Sequence, residues 1–521
     1  MSLIITGTRR LRAGLAFILV LSVAATVAAG ARAAAYQGYT LYSPNNSNRA
    51  YLINGAGGTA RSWTCSRSGG YVAYMLEDGS ILRTAMAGTA LNGGGAQGAI
   101  QSYSAAGALL WDWTYETSTY RSHHDIEPLP NGNVLLIAWE SKTATQAVAA
   151  GLDANLAIWP DHIVEVQPTG ATTGAIVWQW HAWDHLIQDH DAAKANYGVV
   201  ANHPELLDIN MGTIEGGLSG GDWMHVNSIS YNPDLDQIAF SSHTLDEIYV
   251  IDHGTTTAEA ASHSGGRYGK GGDILYRWGC PANYRASGAR VFDVVHCAWW
   301  VPAGLPGAGH LMAYNNREST GTSMIVELEL PSDGAGNYTR TAGAAYGPPG
   351  PVWSFTASWF FSNHLGGCQR LPNGNTLVVE STTAHMAQVD ASGVVQWEYQ
   401  TTGEIPRALV YGMDYPGLMA YSLSGVDDDP GAVPARARLL GAAPNPFNPR
   451  TTIRYELAAA GHARLGVYDA RGCRLRTLVD GEQAAGAHEV ALDADGLASG
   501  VYFCRLEAAG VVETKKIVLD R

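Results

Sequence analysis

Three histidines stand at one recurring distance ahead of a turn. His124 lies five residues before Leu129 of a Leu-Pro-Asn-Gly-Asn turn, and His296 lies five before Val301 of Val-Pro-Ala-Gly. His225 falls within a residue of the same place, ahead of Tyr231-Asn-Pro. Equivalent positions in successive repeats point the same way, so the three imidazoles are expected to converge. Convergent imidazoles have two uses: they bind zinc, or a neutral ring attacks an electrophilic centre while a neighbour donates a proton. No carboxylate or thiol completes an obvious ligand set, and the segment at His225 offers the amide of Asn227 instead. Covalent and acid–base catalysis therefore ranks above metal binding, and neither a metal nor a cofactor is expected.

The elements that must position these residues come from an internal repeat. Gly107-Ala-Leu-Leu-Trp111-Asp-Trp113 recurs as Gly174-Ala-Ile-Val-Trp178-Gln-Trp180, as Gly272-Asp-Ile-Leu-Tyr276-Arg-Trp278 and as Gly393-Val-Val-Gln-Trp397-Glu-Tyr399. Looser copies end in Trp63 and in Pro351-Val-Trp353-Ser-Phe355. Each copy reads as a turn glycine feeding a strand whose alternate aromatics face one side. Hairpin turns are expected at Glu77-Asp-Gly-Ser80, Pro130-Asn-Gly-Asn133 and Pro372-Asn-Gly-Asn375. Six such units predict an all-β chain with a six-bladed β-propeller over 36–424, its histidines opening the innermost strands. Two stacked β-sandwiches would not readily repeat Leu-Pro-Asn-Gly-Asn at 129–133 and 371–375.

Composition agrees with short strands and tight turns: 15% charged residues against 61 Gly, 15 Trp and 25 Tyr. A net charge of −15 argues against a nucleic-acid partner, which would want a basic face. Residues 1–35 read as a secretory signal peptide, with Arg9, Arg10 and Arg12 before an apolar run from Ala13 to Val27 and small residues at Ala31, Ala33 and Ala35. That run is shorter than the roughly 20 residues a membrane anchor needs, and no later segment is apolar enough to cross. Export permits disulfides, with Cys280–Cys297 and Cys473–Cys504 the pairs considered. An exposed linker is expected over 425–440, around Val426-Asp-Asp-Asp-Pro-Gly-Ala-Val-Pro434, and a separate small β-domain over 441–521.

The order PNPFNPRTTIRYEL, VYDARG, GVYFCRLEAAG and a closing Lys-Lys strand resembles the C-terminal sorting domain of type IX secretion cargo, an immunoglobulin-like β-sandwich. That resemblance implies a secretion-machinery partner, a secreted or cell-surface destination reached through the periplasm, and no part in chemistry. In the large unit, His123-His124-Asp125-Ile126, Asp222-Trp-Met-His225-Val-Asn227-Ser, Ser241-Ser242, Glu247-Ile-Tyr-Val-Ile-Asp252-His and Gln369-Arg-Leu-Pro-Asn-Gly-Asn-Thr376 together resemble the bacterial aryl-sulfate sulfotransferases. The resemblance spans roughly 39–415. It implies transfer of a sulfuryl group from an aryl sulfate to a phenol through a sulfohistidine, with no nucleotide sulfate donor.

By that resemblance His296 matches the sulfated nucleophile, although it sits in Val-Val-His-Cys rather than Gln-His-Asp. His124 and His225, with Asn227, match the groups that hold the sulfuryl oxygens or handle the phenolic proton, and His123 and Trp223 are expected against the substrate. His243, eighteen residues after His225, stands where the family carries an arginine. Histidine supplies that charge only when protonated. Trp223, Trp299 and Trp300 stack on an aryl ring or pack the blades; both uses stay open. The alternatives are a non-catalytic secreted propeller that binds glycans or aromatic compounds and, more weakly, a quinone-cofactor dehydrogenase.

Overall fold

The computed structural model describes residues 34–212, 221–421, 437–469, 472–508 and 510–520. All but the last residues of the expected signal peptide, and most of the expected linker, lie outside them. None of the described helices is long and apolar enough to cross a membrane.

Six four-stranded antiparallel sheets fill the large unit, each formed from consecutive strands except the first. Their opening strands are Gly69–Met75, Tyr120–Pro128, Val226–Asn232, Val295–Trp300 and Gly367–Arg370 in sheets two to six. Sheet one is completed by Ala408–Gly412, which pairs antiparallel with Gly38–Tyr42 and so joins the two ends of the unit. The opening strand of sheet two is buried along its whole length. The aromatic repeats form the fourth strands, where burial alternates with period two: in Leu109–Thr114 only Trp111 and Trp113 are buried.

Six apolar clusters lie between neighbouring sheets. Leu52 and Trp63 meet Met75 and Ile81; Leu82 and Trp111 meet Leu136 and Val164; Ile137 and Trp180 meet Ile238 and Phe240. Ile248 and Tyr276 then meet Leu311 and Val326, Tyr314 and Phe355 meet Val378 and Ala387, and Leu377 and Met386 meet Tyr42 and Ile53. The packing thus closes on itself, each of the six sheets sharing an apolar cluster with the sheet on either side. The three expected hairpin turns form, with Gly79, Gly132 and Gly374 at φ 82°, 84° and 88°, a conformation open mainly to glycine.

The C-terminal residues form a three-stranded and a four-stranded sheet that share one core, including Leu439, Ile453, Leu465, Val467, Leu506 and Ile517. Its first strand, Arg438–Ala443, begins inside the stretch expected as linker. All six cysteines are free, so neither considered disulfide is present. Cys297 faces Cys368 across sheets five and six instead, with sulfurs 3.9 Å apart.

Candidate active site

The opening strands of sheets three, four and five all break register beside their histidines, between His123 and Ile126, Val226 and Ser228, and His296 and Trp299. His124, His225 and Cys297 adopt left-handed φ values of 51°, 49° and 53° there. Such values are uncommon outside glycine, and strain of this kind concentrates where a side chain must be re-aimed.

The result is a row of imidazoles. Ring centroids lie 5.1 Å apart for His123 and His124, 4.8 Å for His124 and His225, 4.8 Å for His225 and His243, and 5.7 Å for His243 and His296. The structure therefore brings together all four histidines singled out for catalysis. His243 is the most exposed of them; the others are buried.

Hydrogen bonds fix how these rings are used. Asn316 donates from Nδ2 to the carbonyls of Ser362 and Leu365 at 2.8 and 2.7 Å, which leaves its Oδ1 facing His296 Nδ1 at 2.7 Å. An amide oxygen only accepts, so Nδ1 carries the hydrogen and Nε2 the lone pair. The Leu365 N–H donates to Nε2 at 3.2 Å, consistent with that tautomer. Burial, and then the neighbouring His243, hold His296 well below the ordinary histidine range, so its neutral form prevails. Burial and the surrounding imidazoles do the same to His124 and His123.

His123 departs from its expected place against substrate. It is fully buried, stacked on Trp139 with centroids 4.0 Å apart, with its Nδ1 2.8 Å from His124 Nδ1 and its Nε2 2.8 Å from Asp161 Oδ1. Its contact with the imidazole row is through His124. Burial, then Asp222, pushes the Asp161 carboxyl well above the ordinary carboxylate range. Asp222 accepts from Trp139 Nε1 at 3.0 Å and places its other oxygen 2.9 Å from His225 Nδ1.

Asn227 donates to the Val295 carbonyl at 2.7 Å and accepts from Ser241 Oγ at 2.5 Å, which ties sheet four to the residue preceding His296. Trp223 is the second departure. Its ring is completely buried in the core, and its Nε1 donates to the Met211 carbonyl at 3.3 Å, leaving no face for an aryl group. Trp300 is likewise buried, and Trp299 packs beside the cluster between sheets five and six.

Several residues at the site carry no local sequence signal. Gly94 and Gly95 lie over the histidines: a Cβ on Gly95 would meet His124 Nε2 at 2.2 Å, and one on Gly94 would meet His225 Cε1 at 3.1 Å. Arg407, buried next to the strand that closes sheet one, pairs with Asp125 at 2.8 Å and donates to Tyr74 Oη at 2.9 Å. Its Nη2 lies 3.6 Å from Cys297 Sγ.

Residues 75–415 match the profile of the arylsulfotransferase (ASST) family, and residues 442–520 match that of a secretion system C-terminal sorting domain. No curated protein matches the chain. Among solved structures, PorZ, a surface component of the type-IX secretion system of Porphyromonas gingivalis, is 14% identical over 92% of this chain with a TM-score of 0.30. The chain spans 51% of that structure's length. A Salmonella alpha-2-macroglobulin is 10% identical over 77% of this chain and 26% of its own, with a TM-score of 0.14.

Proposed function

From the premise that this chain belongs to the arylsulfotransferase family, we propose that it moves a sulfuryl group from an aryl sulfate to a phenol through a sulfohistidine on His296. The six sheets are read as the blades of a six-bladed propeller over 36–424. The domain at 441–521 is read as an immunoglobulin-like sandwich that engages the secretion machinery for a secreted or cell-surface destination. The observation that carries the catalytic reading is the His296 tautomer: a neutral, buried ring whose Nδ1 hydrogen is held by Asn316 and whose Nε2 keeps its lone pair.

In the first half-reaction His296 Nε2 bonds to sulfur as the aryl C–O–S linkage breaks at the S–O bond, and the phenolate leaves. The Leu365 N–H, released from Nε2, remains beside the transferring group as a donor to its oxygens. A phenol has a pKa near 10, so its leaving oxygen wants a proton. The proposed relay takes Asp161 as the proton store: its Oδ1 lies 2.8 Å from His123 Nε2, His123 donates from Nδ1 to His124 Nδ1, and His124 Nε2 carries a hydrogen. Passing one proton along this chain protonates the phenolate and leaves Asp161 ionised. The acceptor phenol reverses it: His124 Nε2 takes the phenolic proton, the oxygen attacks sulfur, and His296 is restored. Protonated His243, between His225 and His296, supplies the positive charge for the sulfuryl oxygens.

The test is incubation with a chromogenic aryl sulfate, with and without a phenol. Acceptor-dependent release is the expected result; release into water alone would indicate a sulfatase. A binding-only propeller is the second reading, favoured by a cleft of about 590 Å³ lined by Tyr231, Trp300, Pro302, His310 and Tyr338, away from the imidazole row. Silence in the assay would favour it.

A further inference from the structure

A second histidine cluster lies outside the imidazole row. His185 closes the short helical turn Ala182–His185 after the fourth strand of sheet three. His263 and Asp273 belong to the long connection between Glu247–Asp252 and Tyr276–Trp278 of sheet four. His185 Nδ1 lies 2.8 Å and His263 Nδ1 2.7 Å from the same oxygen, Asp273 Oδ1. The three ligand-type atoms all lie within 4.8 Å of one another.

The orientation of the His185 ring is fixed by its neighbours. Its Nε2 stands 2.8 Å from the Ala260 carbonyl, which can only accept, so Nε2 carries the hydrogen. Nδ1 is therefore the nitrogen turned toward Asp273 Oδ1. A second imidazole nitrogen converges on the same oxygen, and Trp180 stacks on His185 at 5.7 Å, 5° from parallel, and holds the ring in place. The Ala260 contact also serves as the outer hydrogen bond that metal-bound imidazoles regularly make, fixing the ring with Nδ1 toward the ion.

We propose that His185, His263 and Asp273 bind a borderline divalent transition metal, with Zn²⁺ the best match. Two imidazole nitrogens and one carboxylate oxygen form a set suited to zinc, with typical bonds of roughly 2.0–2.2 Å and a fourth, open position. His185 and Asp273 are buried while the His263 side chain is 60% exposed, so the open position faces solvent. The ion would clasp the sheet-four connection onto the end of sheet three, restricting a long loop at the rim of the two sheets that carry His124 and His225.

The experiment is Zn²⁺ titration by calorimetry of the full chain stripped with a chelator, together with the visible absorption of a Co²⁺-substituted sample and thermal melting with and without Zn²⁺. His263→Ala removes an exposed ligand and should leave the fold intact. One equivalent of zinc, a zinc-dependent rise in melting temperature, and at least roughly tenfold weaker binding in His263→Ala are expected. The imidazole row is the competing site, so His124→Ala is titrated in parallel. Binding that is lost in His124→Ala but unchanged in His263→Ala would overturn the proposal. So would the absence of stoichiometric binding.

Discussion

Asn316 Oδ1 meets His296 Nδ1 at 2.7 Å because the Asn316 amide nitrogen is committed to the carbonyls of Ser362 and Leu365. The orientation of one buried amide thereby decides which nitrogen of the proposed nucleophile is free. Asn316→Ala should slow sulfuryl loading by about 10²-fold, the scale set by misplacing a reacting group. It should also cost about 1–3 kcal/mol of stability for the unpaired groups it leaves. Rapid-quench loading kinetics beside a denaturation curve separate the two. Unchanged loading in a folded variant would mean that His296 needs no such orientation.

The proton chain through Asp161 and His123 makes a prediction about leaving groups. Asp161→Asn cannot ionise, so a proton moved to the phenolate has no source beyond His124. Transfer from phenyl sulfate, whose phenolate is basic, should fall by roughly 10²–10⁴-fold, the usual worth of general acid–base catalysis. Transfer from nitrophenyl sulfate, whose phenolate leaves unaided, should fall much less. Equal losses with both donors would show that Asp161 only holds the structure.

Gly95 contacts His124 so closely that no side chain fits. Its φ of 73° disfavours any other residue, and an added Cβ would lie 2.2 Å from His124 Nε2. Gly95→Ala should therefore lower transfer at least about tenfold by displacing the ring. Thermal melting should fall by a few degrees for the strained backbone while the fold is kept, so activity is compared at a temperature where both proteins are folded. Wild-type activity would mean that His124 is not needed where it stands.

His296 and His243 should control opposite limbs of the pH profile. His296 is held well below the ordinary range by burial and by His243, so it stays neutral and nucleophilic as pH falls through roughly 6.5. A charge supplied by His243 is instead lost as pH rises. Activity should thus decline on the alkaline side, and His243→Arg, which keeps its charge, should flatten that decline and keep or raise turnover at neutral pH. A pH–rate profile that is the same in both proteins would contradict the role of His243.

How much of this was legible in the sequence differs by residue. The aromatic repeats marked all six outer strands, because alternate burial of Trp111 and Trp113, or Trp178 and Trp180, leaves a local period-two pattern. The register of His124, His225 and His296 before their turns marked the convergence for the same reason. Asn316, Arg407, Asp161 and Gly95 were invisible: each acts across a contact between strands or sheets, and the flanking residues of Tyr314-Asn315-Asn316 hold no pattern that distinguishes it. Trp223 misled because its motif neighbours His225 along the chain, while its ring turns into the core between sheets three and four. His123 misled in the same way, lying beside His124 in sequence but one layer behind it in space.

In the proposed reaction His296 Nε2 carries the sulfuryl group between donor and acceptor. The most direct measurement is peptide mass spectrometry, under conditions that preserve acid-labile N–S bonds, after brief exposure to an aryl sulfate with no phenol present. One sulfuryl group is expected on the peptide containing His296, with its removal on adding phenol and loss of both adduct and turnover in His296→Ala. An adduct on another residue, or a His296→Ala protein with full activity, would contradict it.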